Sequence, residues 1–241
     1  HLLTWCVGWT QANSYVLMKG FTSHPIKAIW ASSLTGLKAN LVPGLVLQAI
    51  GLAIVLVYYQ VDDAHVVFDG IASLKQHYSY LYSGISTAIF GGIIPFAYLY
   101  WAKLIPKDRA VTIALFYILY WTWRGMEVDA FYRLQDWLFG DGIDWHTIAI
   151  KVAVDQFIYC PFWSAPVTAI FFGWKDQGFS WRSFKSQINR RLFTFVTPSI
   201  LLAVWIVWIP GTAIIYSLPL ALQIPLFNLT LCFFVLLVSV L

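Results

Sequence analysis

Ionisable side chains are scarce in this chain: Lys, Arg, Asp and Glu together make up 11% of its 241 residues, whereas an ordinary soluble domain carries about 25%. So few charges could not cover the surface of a water-soluble globule of this size. Sulfur is scarce too. The three cysteines, Cys6, Cys160 and Cys232, have no paired spacing, which excludes a disulfide framework and a CxxC metal pair. HExxH, GxSxG, paired-aspartate and P-loop patterns are all missing, so the sequence predicts neither an enzyme nor a cofactor. His65 and His77 stand without a ligand partner at useful spacing, and no metal site is predicted. The formal net charge of +4 is small and scattered, which speaks against a nucleic-acid partner.

What is abundant is apolar. Hydrophobic residues make up 60% of the chain and aromatic residues 18%. The simplest solvent for that much apolar surface is lipid. The expected fold is therefore all-α, a polytopic transmembrane helix bundle whose partners include membrane lipids. A spanning helix needs about 20 mostly apolar residues. Candidate spans run from Leu41 to Tyr59, Tyr80 to Ala102, Val111 to about Trp123 with a polar continuation to Phe139, and Ile148 to Trp174. The run from Leu192 to Leu241 is too long for one span. Pro210-Gly211 is expected to bend or break it, and Ser217-Leu218-Pro219 to make a tight turn, since proline removes a backbone donor and clashes with the preceding turn. Two helices result, Leu192 to Tyr216 and Leu220 to Leu241, for about six spans in all.

Connecting charges support an even count. Lys19, Lys27 and Lys38 precede the first span. The next connection carries Asp62, Asp63 and Asp69 against Lys75, and the one after it Lys103, Lys107 and Arg109 against Asp108. Asp136, Asp141 and Asp144 follow, with Arg133 at their edge, then Lys175, Arg182, Lys185, Arg190 and Arg191 against Asp176. The bias alternates without exception, which places both termini on the positive, cytoplasm-like or matrix-like side. Ile26, Ile29, Trp30, Leu34, Leu37 and Leu41 recur at helical spacing, so residues 1–40 are read as an N-terminal segment ending in a helix on the membrane surface or on the bundle. Residues 41–241 form the transmembrane domain. A start at His1 leaves room for a processed targeting segment, and the ending VLLVSVL for a further polar tail.

Charges inside apolar runs are costly, by a few kcal/mol each, and normally face a partner. In TWRGMEVDAFYRLQDWL, Arg124 and Glu127 lie three apart, Asp129 and Arg133 four apart, and Arg133 and Asp136 three apart, each pair sharing a helix face. In KVAVDQFIYCP, Lys151 and Asp155 lie four apart and Gln156 follows. Asp155 needs a partner at that depth, either Lys151 or an arginine of the preceding helix. Pro161 and Pro166 then free backbone carbonyls that must be satisfied within the protein or by cavity water. Both clusters read either as ion pairs holding helices together or as the lining of a polar pathway.

These residues resemble the Mpv17/PMP22 family of small integral membrane proteins. The family's W-Y-x-x-L-D pattern is similar to Phe131-Tyr132-Arg133-Leu134-Gln135-Asp136. Its K-x-x-x-D-Q followed by proline is matched by Lys151, Asp155, Gln156 and Pro161. Its Trp-Pro step and Tyr-x-x-Pro turn are similar to Trp208-Ile209-Pro210 and Tyr216-Ser217-Leu218-Pro219. The resemblance covers roughly residues 110–241 and implies a divergent, longer member. Members sit in mitochondrial, peroxisomal, vacuolar or chloroplast membranes, with bacterial relatives, and some resemble non-selective channels. The resemblance thus implies a bacterial plasma membrane or an organellar one, and a channel or transport-related protein for small solutes. The alternative is a non-catalytic accessory subunit, with other membrane subunits or copies of itself as partners.

Overall fold

The computed structural model describes residues 25–185 and 197–240, and among them every regular element is a helix. α1 is Pro25–Gln60, and a single turn, Asp62–Ala64, leads into α2, His65–Thr87. A π-helical turn, Ala88–Ile93, joins α2 to α3, Ile94–Trp101. α4 is Ala110–Phe139 and α5 Trp145–Val154. A ten-residue π-helical stretch, Asp155–Ser164, connects α5 to α6, Ala165–Asp176. α7 is Trp181–Lys185, α8 Thr197–Tyr216 and α9 Leu220–Val240.

Among the described residues, three helical stretches are long and apolar enough to cross a membrane: Asn40–Gln60, Asp62–Trp101 and Trp145–Asp176. Val204–Tyr216 and Leu220–Leu236 are shorter apolar helices among the described residues. α4 is missing from the long set because charges interrupt its second half.

Several expected boundaries move. The connection expected between the first two spans, residues 60–79, is almost wholly helical, because Phe68, Ile71, Ala72 and Lys75 recur at helical spacing on its inward face. Pro210-Gly211 does not break α8, which runs through to Tyr216. Proline forfeits one bond and bends a helix, but a surrounding of packed apolar side chains can carry it through. The turn at Ser217-Leu218-Pro219 forms where expected. The surface helix expected within residues 1–40 is no separate element from Pro25 onward, because α1 runs unbroken into the first apolar stretch. Residues 1–24, and the stretch containing Arg190, Arg191 and Leu192, lie outside the described residues.

The contacts divide the chain into two compact units. One comprises Leu45–Val152 with Ile209–Leu237. Its core gathers Val128 and Tyr132 of α4, Ile215, Tyr216 and Leu218 at the α8–α9 turn, and Leu222, Ile224 and Leu226 of α9. Within it α2, the π turn and α3 run antiparallel to α4 at close range. Gly125 of α4 sits against the Ser83 carbonyl and Thr87, and Gly91 against Trp121 and Leu231. Small residues allow such approach. Asn228 of α9 ties in by accepting from the Thr87 hydroxyl at 2.8 Å and donating to Ser86 at 2.9 Å. In the other unit, Gly173 of α6 lies against the Phe184 ring of α7, Gly44 of α1 against Val207 of α8, and Phe157 edge-on to Trp205 at 5.1 Å.

Local chemistry sets the ends of α4 and α5. Gly140, at φ 85°, stops α4 by donating its N–H to the Asp136 carbonyl. Asp144 caps α5: its Oδ1 accepts the N–H groups of His146 and Thr147, and its Oδ2 accepts the Thr147 hydroxyl at 2.7 Å. Those bonds, the Thr147 hydroxyl foremost, hold the exposed Asp144 carboxyl below the usual carboxylate range. A lowered folded pKa adds stability that is present above the unfolded value of about 4 and lost as pH falls through the folded one. The gap in thermal midpoint between wild type and Asp144→Ala is therefore expected to be constant near neutrality and to close under acid. A gap that widens as pH falls would contradict the cap.

Candidate functional site

The charged side chains in the second half of α4 fall on two faces of the helix, Arg124 and Glu127 on one and Asp129, Arg133 and Asp136 on the other, and each finds an opposite charge. Arg124 donates through Nη1 to Glu127, three residues on. Its guanidinium carbon also stands 5.9 Å from the centre of the Trp123 ring.

The larger cluster centres on Asp129, whose side chain is 0% exposed. Oδ2 accepts the Lys75 ammonium at 2.7 Å and the Ser83 hydroxyl at 2.9 Å. Oδ1 accepts the Arg133 Nε–H at 3.1 Å. Arg133 also donates through Nη2 to the Ser79 hydroxyl at 3.0 Å, and its guanidinium lies 4.8 Å from the centre of the Tyr80 ring. Two cations thus share one buried carboxylate. Lys75 is almost fully covered, while Arg133 keeps 37% of its side chain accessible. Coulomb attraction at short range in a low-dielectric surrounding is strong, and such a pair persists only when its remaining lone pairs are also satisfied, as they are here by Ser83.

Asp136, about two turns beyond Asp129 on α4, accepts the buried Lys151 ammonium of α5. Lys151 lies 6.0 Å from the centre of the Tyr216 ring, and the Tyr216 hydroxyl accepts from Gln135 Nε2. In the other unit Asp155 is buried and accepts from Gln156 Nε2 at 3.0 Å, and the Gln156 carbonyl oxygen is buried without a partner.

Of the spacing-based pairs, Arg124 with Glu127 and Asp129 with Arg133 form as read. Arg133 does not pair with Asp136. Its guanidinium turns to Asp129 and Ser79, which leaves Asp136 to Lys151. Nor does Lys151 pair with Asp155. The Lys151 ammonium goes to Asp136 instead, and Asp155 begins the π-helical stretch. Pro161 lies inside that stretch and Pro166 at the start of α6. Pro210 and Gly211 lie within α8, and Pro219 ends the turn before α9.

Lys75, Ser79 and Ser83 join the Asp129 cluster although the sequence reading put Lys75 in a loop. The signal that could have placed it was the repeat Phe68, Ile71, Ala72, Lys75, Ser79, which puts the lysine on an otherwise inward face. Among the described residues no three His, Cys, Asp or Glu side chains gather where they could hold a metal ion. Searches against protein-family models, curated proteins and solved structures return no match to this chain.

Proposed function

We propose that this chain is a multi-pass integral membrane protein of about six spans, a divergent member of the Mpv17/PMP22 family, and a channel or transport-related protein for small solutes. The membrane reading is supported by the three long apolar helices and the two shorter ones. Burial of Lys75 against Asp129 sharpens the charge alternation, since the exposed charges of its segment are then the acids Asp62, Asp63 and Asp69. They share one end of the α2–α4 pair with Asp141 and Asp144, while Lys103, Lys107 and Arg109 lie exposed at the opposite end. That pattern favours termini on the positive side of a bacterial plasma membrane or an organellar membrane.

The transport reading rests on the two charge clusters of α4, each of which carries both signs, so a pathway beside either would select weakly among ions. Glu127, Arg133 and Asp136 stay partly accessible while their partners Arg124, Asp129 and Lys151 are buried. That arrangement suits a closed pathway whose pairs part to admit water. Glu127→Gln weakens the hold on Arg124. Purified protein in proteoliposomes is expected to release small encapsulated solutes and retain large ones, with the variant releasing them severalfold faster. Vesicles as tight as empty ones with both proteins would overturn the reading.

A second reading, an accessory subunit of a membrane complex or a homo-oligomer, is favoured by the near-complete cover over Lys75, Asp129 and Lys151. It expects the same variant to lower the yield of a complex and leave solute release unchanged.

A further inference from the structure

The stretch Asp62–Trp101 is 40 residues long, about 60 Å at the α-helical rise, while the hydrocarbon core of a bilayer is about 30 Å thick. Half of it must therefore lie elsewhere. The backbone shows where it divides. Ser79 has φ 50° and ψ −122° inside α2, and the helix kinks there. No proline precedes Pro95 in this stretch, and a serine in that conformation costs about 1–3 kcal/mol unless its surroundings hold it. They do: Arg133 donates to the Ser79 hydroxyl, and Lys75 and Ser83, one turn to either side, both reach the same oxygen of Asp129.

Before the kink, α2 has three faces. Phe68, Ile71, Ala72 and Lys75 turn toward the protein. Val66, Val67, Gly70, Leu74 and Tyr78 form an exposed stripe of low polarity, with Val66 79% accessible. Asp69, Ser73, Gln76 and His77 form an exposed polar stripe beside it. Beyond the kink the apolar stripe continues as exposed Leu81, Ile85, Ile89 and Ile93.

We infer that residues 65–78 lie along the surface of a zwitterionic lipid bilayer, with the apolar stripe sunk among the upper acyl chains and the polar stripe toward water. The inference rests on the membrane reading and adds where this segment sits. A helix half sunk in an interface exposes one apolar and one polar sector side by side. The stripe's continuity with the outward face of the following span extends one lipid contact across the kink. Arg133 over Tyr80 supplies the cation and aromatic pair favoured at headgroup depth. The exposed charges of the segment and of the turn before it, Asp69 with Asp62 and Asp63, are all acidic, and acids against anionic headgroups repel. The fitting surface is therefore zwitterionic.

The test is site-directed spin labelling of the full chain in phosphatidylcholine proteoliposomes, with Cys6, Cys160 and Cys232 replaced by alanine. Single labels go at Val66, Gly70, Leu74 and Tyr78, at Asp69, Ser73 and Gln76, and at Ile85 and Ile89 as references within the span. The ratio of oxygen to nickel collision rates is expected to be severalfold higher at the first group than at the second, and highest at Ile85 and Ile89. References in lipid with both α2 stripes equally open to nickel would place the segment in water and sink the inference alone. References in lipid with the apolar stripe closed to both probes would mean a protein covers it, with the same result. References open to nickel would overturn the membrane reading itself, and this inference with it.

Discussion

Replacing Asp129 with alanine is expected to destabilise the protein by about 3–5 kcal/mol, the usual cost of removing one partner from a buried ion pair. Three donors converge on this carboxylate: Lys75, Ser83 and Arg133. Arg133 is partly accessible and can recover hydration, but Lys75 cannot, because its side chain is 3% exposed. The variant strands a cation in an apolar surrounding, and neutralising that lysine is the only local relief. Lys75→Met combined with Asp129→Leu is therefore expected to recover most of the loss, because matched apolar replacements of a buried pair are often neutral or better. The measurement is the unfolding midpoint in detergent micelles for wild type, each single variant and the double variant. If Asp129→Ala unfolds like wild type, the carboxylate does not hold the α2–α4 contact. If the double variant is no better than the single, the loss comes from Arg133 and Ser79 rather than from a stranded lysine.

Gly125→Ala should be nearly as damaging, for a steric reason. A Cβ at this position would stand 2.3 Å from the Ser83 carbonyl oxygen and 2.4 Å from the Thr87 hydroxyl oxygen. The first is backbone, so no rotamer change removes the clash, and α2 and α4 must move apart. Separation also stretches the bonds to Asp129 less than two turns away. Overpacking a well-fitted contact typically costs about 1–3 kcal/mol, and the loss here is expected at or above the top of that range. Gly70→Ala is the internal control. Nothing lies within 4 Å of a Cβ there, and alanine is favoured over glycine within a helix by about 0.5–1 kcal/mol. Its thermal midpoint is expected to equal or exceed that of wild type. Equal behaviour of the two alanines would sink the close-approach account.

The two variants probe features of different legibility. The pairs Arg124 with Glu127 and Asp129 with Arg133 could be read from the chain, because three- and four-residue separations fix neighbours on any helix. The turn at Pro219 and the apolar helices Asn40–Gln60 and Trp145–Asp176 were legible for similar local reasons: composition, length and the missing proline donor. Lys75 was hidden because its neighbours Asp69, Gln76 and His77 look like a polar loop, and its acid lies 54 positions away in sequence. On paper the cation within reach of Asp136 was Arg133. Only the positions of Ser79 and Asp129 drew Arg133 away and left Asp136 to Lys151. Asp155 fell outside the expected pairing because the Lys151 ammonium was taken by Asp136, an acid of the preceding helix.

The amino-acid sequence determined, unaided, that this protein is helical, that its apolar stretches reach the length of a bilayer, and that its scarce charges need partners. Those outcomes follow from composition and from periodicities that act within a few residues. Tertiary structure decided which charges meet, where the long helix kinks and which glycines bring backbones together. Each of these depends on side chains brought within a few ångströms from distant parts of the chain, and a buried charge accepts whichever partner the packing delivers.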